Sequence, residues 1–138
     1  MDFTKWIREG IKHPRPAIYL KVISVFMVLG ALSHLGSILS VAGRPWAAKP
    51  LHFQIADLVL LTTNLVLAWG LWRRRLWAVI GWIAAAVFFQ AIPILLFTES
   101  FAAGPRERTI LYTMLATNAI LLGVFFALLP RKKGGTPR

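Results

Sequence analysis

The chain has 138 residues, 57% of them hydrophobic, no cysteine and a formal net charge of +11, with a mean hydropathy of +0.65. Without cysteine there are no disulfides, no thiolate catalysis, no cysteine-ligated zinc and no iron–sulfur cluster. Once its apolar runs are counted the length leaves no room for a soluble domain, so the reading is a single membrane domain over 1–138.

The first stretch, 1–16, predicts a short amphipathic helix. Asp2 caps it, Phe3, Trp6, Ile7 and Ile11 share one side, and Lys5, Arg8, Glu9 and Lys12 share the other. Such a helix lies in a membrane interface, with Trp6 at headgroup level and the cations near anionic lipid. A docking helix for a cytoplasmic partner is the competing reading. Pro14 and Pro16 end it and turn the chain.

The first apolar run covers 22–42 and carries His34 inside it, with Ser33, Gly36, Ser37 and Ser40 as a small-residue strip. A basic leader and Ser40-Val41-Ala42 before Gly43 imitate a secretory signal. The run exceeds the ~7–15 residues of a signal h-region, so it is read as a retained membrane helix. Gly43-Arg44-Pro45-Trp46 and Lys49-Pro50 then make a rigid loop that places Trp46 at an interface.

The second run, 53–72, carries Asp57 and Asn64, which at a spacing of seven share a helix face. Arg73, Arg74 and Arg75 form a tight turn flanked by Trp69, Trp72 and Trp77, with Trp82 deeper, so the second and third runs form an antiparallel hairpin. The third run, 76–98, carries Gln90, and Pro93 bends it by removing a backbone bond. After a loop from Ser100 to Arg108 containing Gly104-Pro105, the fourth run, 109–129, carries Asn118 beside Thr113 and Thr117. Ala119, Gly123 and Ala127 repeat on it at the spacing of close helix contacts. The tail 130–138 reads as disordered.

Runs of about 20 residues match a hydrocarbon core ~30 Å thick. Twelve of the 16 basic residues fall before the first run, in the Arg73–Arg75 turn or after the fourth run. Arg44, Lys49, Arg106 and Arg108 fall on the other side. The positive-inside rule then makes both termini cytoplasmic, in agreement with an even number of spans. Topology accounts for the positive charge, so nucleic acid is not a predicted partner. The expected fold is all-α: an integral membrane antiparallel four-helix transmembrane bundle with a short N-terminal interfacial helix.

Counted inward from the outer end of each run at 1.5 Å per residue, His34 and Gln90 lie ~12 Å deep, Asn118 ~14 Å, Asn64 ~16 Å and Asp57 ~6 Å. This predicts a polar layer of His34, Asp57, Asn64, Gln90 and Asn118 lining a small pocket that opens outward, with His52, Glu99 and Arg44 at its rim. Interhelical hydrogen bonds that merely hold the bundle together, at roughly 0.6 kcal/mol each, are the competing explanation. Asp57 favours function, because a carboxylate within a span costs ~2.5–3.5 kcal/mol unless paired, hydrated or protonated. Its expected partners are His34, His52 or Arg44. A His–Asp pair can pass protons, but the inner half below Asn64 holds no ionisable residue to complete a path.

Other chemistries fail on their requirements. Two-histidine haem needs a second intramembrane histidine, and a Schiff base needs a mid-membrane lysine. His34, His52, Asp57 and Glu99 are metal-ligand types without a ligand spacing. Ser33, Ser37 and Ser40 near His34 read as packing residues rather than nucleophiles. No catalytic residue or metal ligand is assigned, and no cofactor is identified.

Gly30-Ala31-Leu32-Ser33-His34-Leu35-Gly36 in the first helix, Ala68-Trp69-Gly70-Leu71-Trp72-Arg73-Arg74-Arg75 closing the second and Leu76-Trp77-Ala78 opening the third carry a resemblance. Over about 22–129 the chain resembles the small bacterial four-helix membrane proteins grouped as DoxX-like, some of which are similar to respiratory or quinone-linked subunits. The resemblance implies a bacterial inner-membrane protein and transfers no functional residue. The expected function is that of a non-enzymatic accessory subunit of a larger membrane complex, or a binder of a small amphipathic molecule such as a quinone or lipid. The alternative is a proton or small-solute transporter acting as a homo-oligomer, and a membrane-embedded enzyme stands third.

Overall fold

A computed structural model describes residues 2–41, 43, 45–102 and 104–130; Arg44 and the tail 131–138 lie outside the described residues. All regular structure among them is helical, with no strand. The order is α1 (Phe3–Gly10), α2 (Pro14–Ile38), a 3₁₀ turn (Trp46–Ala48), α3 (Leu51–Trp72), α4 (Leu76–Ala85), a π segment (Ala86–Ala91), α5 (Ile92–Phe101) and α6 (Pro105–Leu128). Four helical segments are long and apolar enough to cross a membrane: Pro14–Ile38, Leu51–Trp72, Leu76–Ser100 and Pro105–Leu128.

The first of these begins and ends earlier than the apolar run at 22–42. Pro14 and Pro16 separate α1 from α2, as expected, but they also open α2. In the first turn of a helix the missing proline N–H has no intrahelical partner to lose, and the fixed φ suits the helix. At its other end α2 closes in a Schellman motif, with Val41 N–H donating to Gly36 O at 3.1 Å and Ser40 N–H to Ser37 O at 3.2 Å. Ser40 takes the left-handed position, φ 56°. The apolar side chains of Leu39 and Val41 extend the run, but the helix stops at Ile38.

Contacts divide the chain into two units, Ile18–Gly81 and Met1–Ala17 with Trp82–Arg138. In the first unit α2 and α3 run antiparallel, because later residues of α3 meet earlier residues of α2. Asp57 meets His34, Asn64 faces Gly30, and Ala68 O accepts from the buried Ser24 Oγ at 2.7 Å. The α3–α4 turn repeats the Schellman arrangement: Arg75 N–H donates to Gly70 O and Arg74 N–H to Leu71 O, both at 2.9 Å. Arg74 occupies the left-handed position there, φ 55°. This reversal brings Trp77 beside Trp69, ring centroids 6.2 Å apart. It also presses Gly70 so closely on α4 that a Cβ there would lie 2.4 Å from Ala78 Cβ.

In the second unit α6 runs antiparallel to the segment before it, with Trp82 meeting Phe125, Gln90 meeting Asn118 and Glu99 meeting Arg108. Before Pro93 the helix changes register. Its missing N–H leaves the Phe89 carbonyl without the usual i+4 donor, and the helix takes π register over Ala86–Ala91, with Ile92 N–H donating to Val87 O. A second irregularity falls at Phe97, φ −127° and ψ 26°. Helix α1 is capped as its sequence predicts, Asp2 Oδ1 accepting from Thr4 N–H at 3.0 Å. Its apolar face packs on the C-terminal end of α6: Trp6 stacks on Phe126 with centroids 6.1 Å apart and donates from Nε1 to Pro130 O at 3.3 Å. Ile7, on the same side, is fully buried.

Candidate functional site

The strongest polar constellation lies in the first unit, where α2 ends and α3 begins. Because α2 stops at Ile38 rather than at the end of its apolar run, His34 is one turn from the helix end, ~6 Å along the axis. Asp57, six residues into α3, is ~9 Å from that helix's start. The two therefore lie at one level and meet, His34 Nδ1 to Asp57 Oδ1 at 2.9 Å. The sequence-based depths had set them ~6 Å apart, an error that came from equating the end of hydropathy with the end of the helix.

Two further donors converge on the carboxylate. Ser37, one turn beyond His34 on the same face of α2, donates from Oγ to Asp57 Oδ2 at 2.8 Å. Lys49 Nζ donates to Ser37 Oγ at 2.5 Å and stands 3.8 Å from Asp57 Oδ2. The lysine is held from behind. Gln54 Nε2 donates to Lys49 O at 2.8 Å, and Trp46 N–H donates to Ser40 Oγ at 2.9 Å, tying the connecting loop to both helices.

Asp57 is 14% exposed against 27% for His34 and 31% for Lys49, so the carboxylate is the sheltered centre and the two nitrogen bases form its open side. Since Asp57 only accepts while ionised, His34 carries its proton on Nδ1 and leaves Nε2 as an acceptor. Nε2 has no hydrogen-bond partner among the described residues. On protonation the same atom becomes a donor. The arrangement can thus accept from a hydroxyl or donate to a carbonyl at one point, with Lys49 offering a cation nearby.

Of the three partners expected for Asp57, His34 is found. His52 sits in the first turn of α3 with its ring 4.3 Å from that of Phe53, and Arg44 lies outside the described residues. Ser37 and Lys49 were missed as partners. The signal for Ser37 was its i+3 spacing from His34, which its reading as a packing residue concealed. The signal for Lys49 was its position just before Pro50, where the chain enters α3.

The remaining residues of the expected layer form separate contacts. Asn64, two turns further along α3 than Asp57, turns its amide toward Gly30, where a Cβ would lie 2.9 Å from Asn64 Nδ2. In the second unit Asn118 Nδ2 donates to Gln90 Oε1 and, at 3.0 Å, to Met114 O. Gln90 belongs to the π segment, so Pro93 helps determine where its amide points. Glu99 forms an exposed ion pair with Arg108. Thr113 and Thr117 each donate to the carbonyl four residues earlier, spending their hydroxyls within α6.

The chain matches no protein-family model, no curated protein and no solved structure.

Proposed function

We propose that the chain is an integral membrane protein whose four spans form an antiparallel bundle with both termini cytoplasmic. In this reading it holds a small amphipathic molecule, a quinone or a lipid, at the His34–Asp57 site, alone or as an accessory subunit of a larger membrane complex. The observation that carries it is the free Nε2 of a histidine whose other nitrogen is fixed by a carboxylate. A group that accepts when neutral and donates when protonated suits a ligand alternating between carbonyl and hydroxyl. Simple interhelical glue needs only the Nδ1 side of that ring.

The setting supports the same reading. Asp57 and His34 are a costly pair to place within apolar helices. The resemblance of the Gly70-Leu71-Trp72-Arg73-Arg74 hairpin to DoxX-like proteins adds to it, and an inner-membrane location goes with that resemblance. Gentle detergent extraction followed by mass spectrometry of every retained protein and lipid is the direct test. The expected result is a ligand bearing a carbonyl or hydroxyl, retained by the parent and lost in His34→Ala. The proposal fails if nothing specific is retained and His34→Ala, Asp57→Asn and Asn118→Leu are as stable as the parent.

A further inference from the structure

The opposite end of the α2–α3 pair carries a second feature with no part in that site. Lys21, Arg73, Arg74 and Arg75 are all exposed there. Across 18–81 the single acidic residue is Asp57, already engaged by His34, Ser37 and Lys49. It lies 16 residues from Arg73 along α3, ~24 Å away. Among the described residues none of the four cations has a carboxylate partner.

Two of them are held on aromatic faces instead. Lys21 Nζ lies 5.3 Å from the ring centroid of Trp72, and Arg73 Cζ lies 4.9 Å from that of Trp69. Trp69 and Trp72 are themselves 55% and 53% exposed. Their indoles therefore support the cations without neutralising them. The turn that carries the arginines is fixed by its Schellman hydrogen bonds, so the guanidinium groups project from a rigid reversal rather than from a loose loop.

From this we infer that the Lys21–Trp72 and Arg73–Trp69 pairs, with Arg74 and Arg75, form a binding site for the phosphate headgroup of an anionic phospholipid. A guanidinium presents forked donors to phosphate oxygens, and the ammonium adds a point charge. The exposed indoles at the ends of apolar helices match the boundary between acyl chain and headgroup. A soluble polyanion would have no use for them. That combination favours lipid over free phosphate.

The experiment is native mass spectrometry of the purified chain in detergent, titrated separately with phosphatidylglycerol, phosphatidylcholine and inorganic phosphate. Phosphatidylglycerol adducts should dominate. Lys21→Gln and Arg73→Gln should each weaken them roughly fivefold, and Trp69→Leu and Trp72→Leu, which leave the net charge unchanged, by about threefold. Arg108→Gln, which removes a cation already paired with Glu99, should have no effect. The inference is overturned if phosphatidylcholine is retained equally, if inorganic phosphate binds as well as the lipid, if the tryptophan variants match the parent, or if Arg108→Gln weakens retention as much as Arg73→Gln. His34→Ala should leave these adducts intact, which keeps this site's failure distinct from that of the His34–Asp57 site.

Discussion

His34 Nδ1 lies 2.9 Å from Asp57 Oδ1, joining the last turns of α2 to the second turn of α3. This contact aligns the level of the two helices, fixes the histidine tautomer and provides the counterpart for an ionised carboxylate within an apolar segment. Its strength is measurable. In a double-mutant cycle of His34→Ala and Asp57→Asn, followed by unfolding in detergent, the coupling should be about 0.6 kcal/mol and no more than roughly 2. A coupling of zero would mean that the contact adds no net stability to the folded chain.

Lys49 should contribute to the same cluster through charge. Lys49→Met removes the cation that stands 3.8 Å from Asp57 Oδ2 and the donor to Ser37. Thermal unfolding in detergent should show a loss of roughly 0.2–1 kcal/mol, as for a partly exposed pair, shrinking when Asp57→Asn is already present. His52→Ala, by contrast, should leave the coupling between Lys49 and Asp57 unchanged.

The glycines divide by what surrounds them. A Cβ at Gly70 would lie 2.4 Å from Ala78 Cβ and 2.6 Å from the Trp77 ring, so Gly70→Ala forces α3 and α4 apart and should cost about 1–3 kcal/mol. Gly123, in the C-terminal part of α6, has nothing within 4 Å of its Cβ position. Gly123→Ala should be neutral, or stabilising by up to ~1 kcal/mol through helix propensity. Midpoints of thermal unfolding in one detergent would rank Gly123→Ala at or above the parent and Gly70→Ala well below it.

Arg74 and Ser40 both adopt the left-handed conformation at helix ends, but glycine suits only one of them. Arg74→Gly relieves the steric cost of a Cβ at φ 55° and should stabilise the turn by ~1 kcal/mol. At Ser40 the same relief is opposed by loss of the acceptor for Trp46 N–H. Ser40→Gly should therefore yield less than Arg74→Gly and should speed hydrogen exchange at the Trp46 amide.

At the N-terminus the hydrogen bond from the Thr4 hydroxyl, reinforced by Thr4 N–H, holds the Asp2 carboxyl below its ordinary value. A lowered folded value means that the cap's contribution is complete above the unfolded value, about pH 4, and is lost as pH falls through the folded one. The amides of α1 should exchange at a constant protected level near neutrality and lose protection in acid below about pH 4. Asp2→Ala should show faster α1 exchange at neutral pH and no acid step.

What the sequence determined by itself was the inventory: four apolar helices of spanning length, a capped amphipathic helix before them, a tight cationic turn between the second and third, and a few polar residues inside them. Those features are written in local chemistry, since a run of apolar side chains, a cap or a proline acts within a turn or two of its own position. That Pro93 would disturb its helix was legible, but the π segment was not, because a missing N–H does not say how the neighbouring carbonyls will be re-paired.

Only the tertiary structure decided which polar groups meet. Hydropathy carried the first run to residue 42, but backbone hydrogen bonds closed α2 at Ile38, raising His34 to the level of Asp57. Helices that are apolar nearly all round give little indication of their rotation, so Asp57 could be assigned a depth but not its partners Ser37 and Lys49. For the same reason hydropathy indicated neither the Asn64–Gly30 approach nor the Gln90–Asn118 hydrogen bond as pairings. A contact between helices depends on where each helix ends and on the direction its face points, and both are settled by packing.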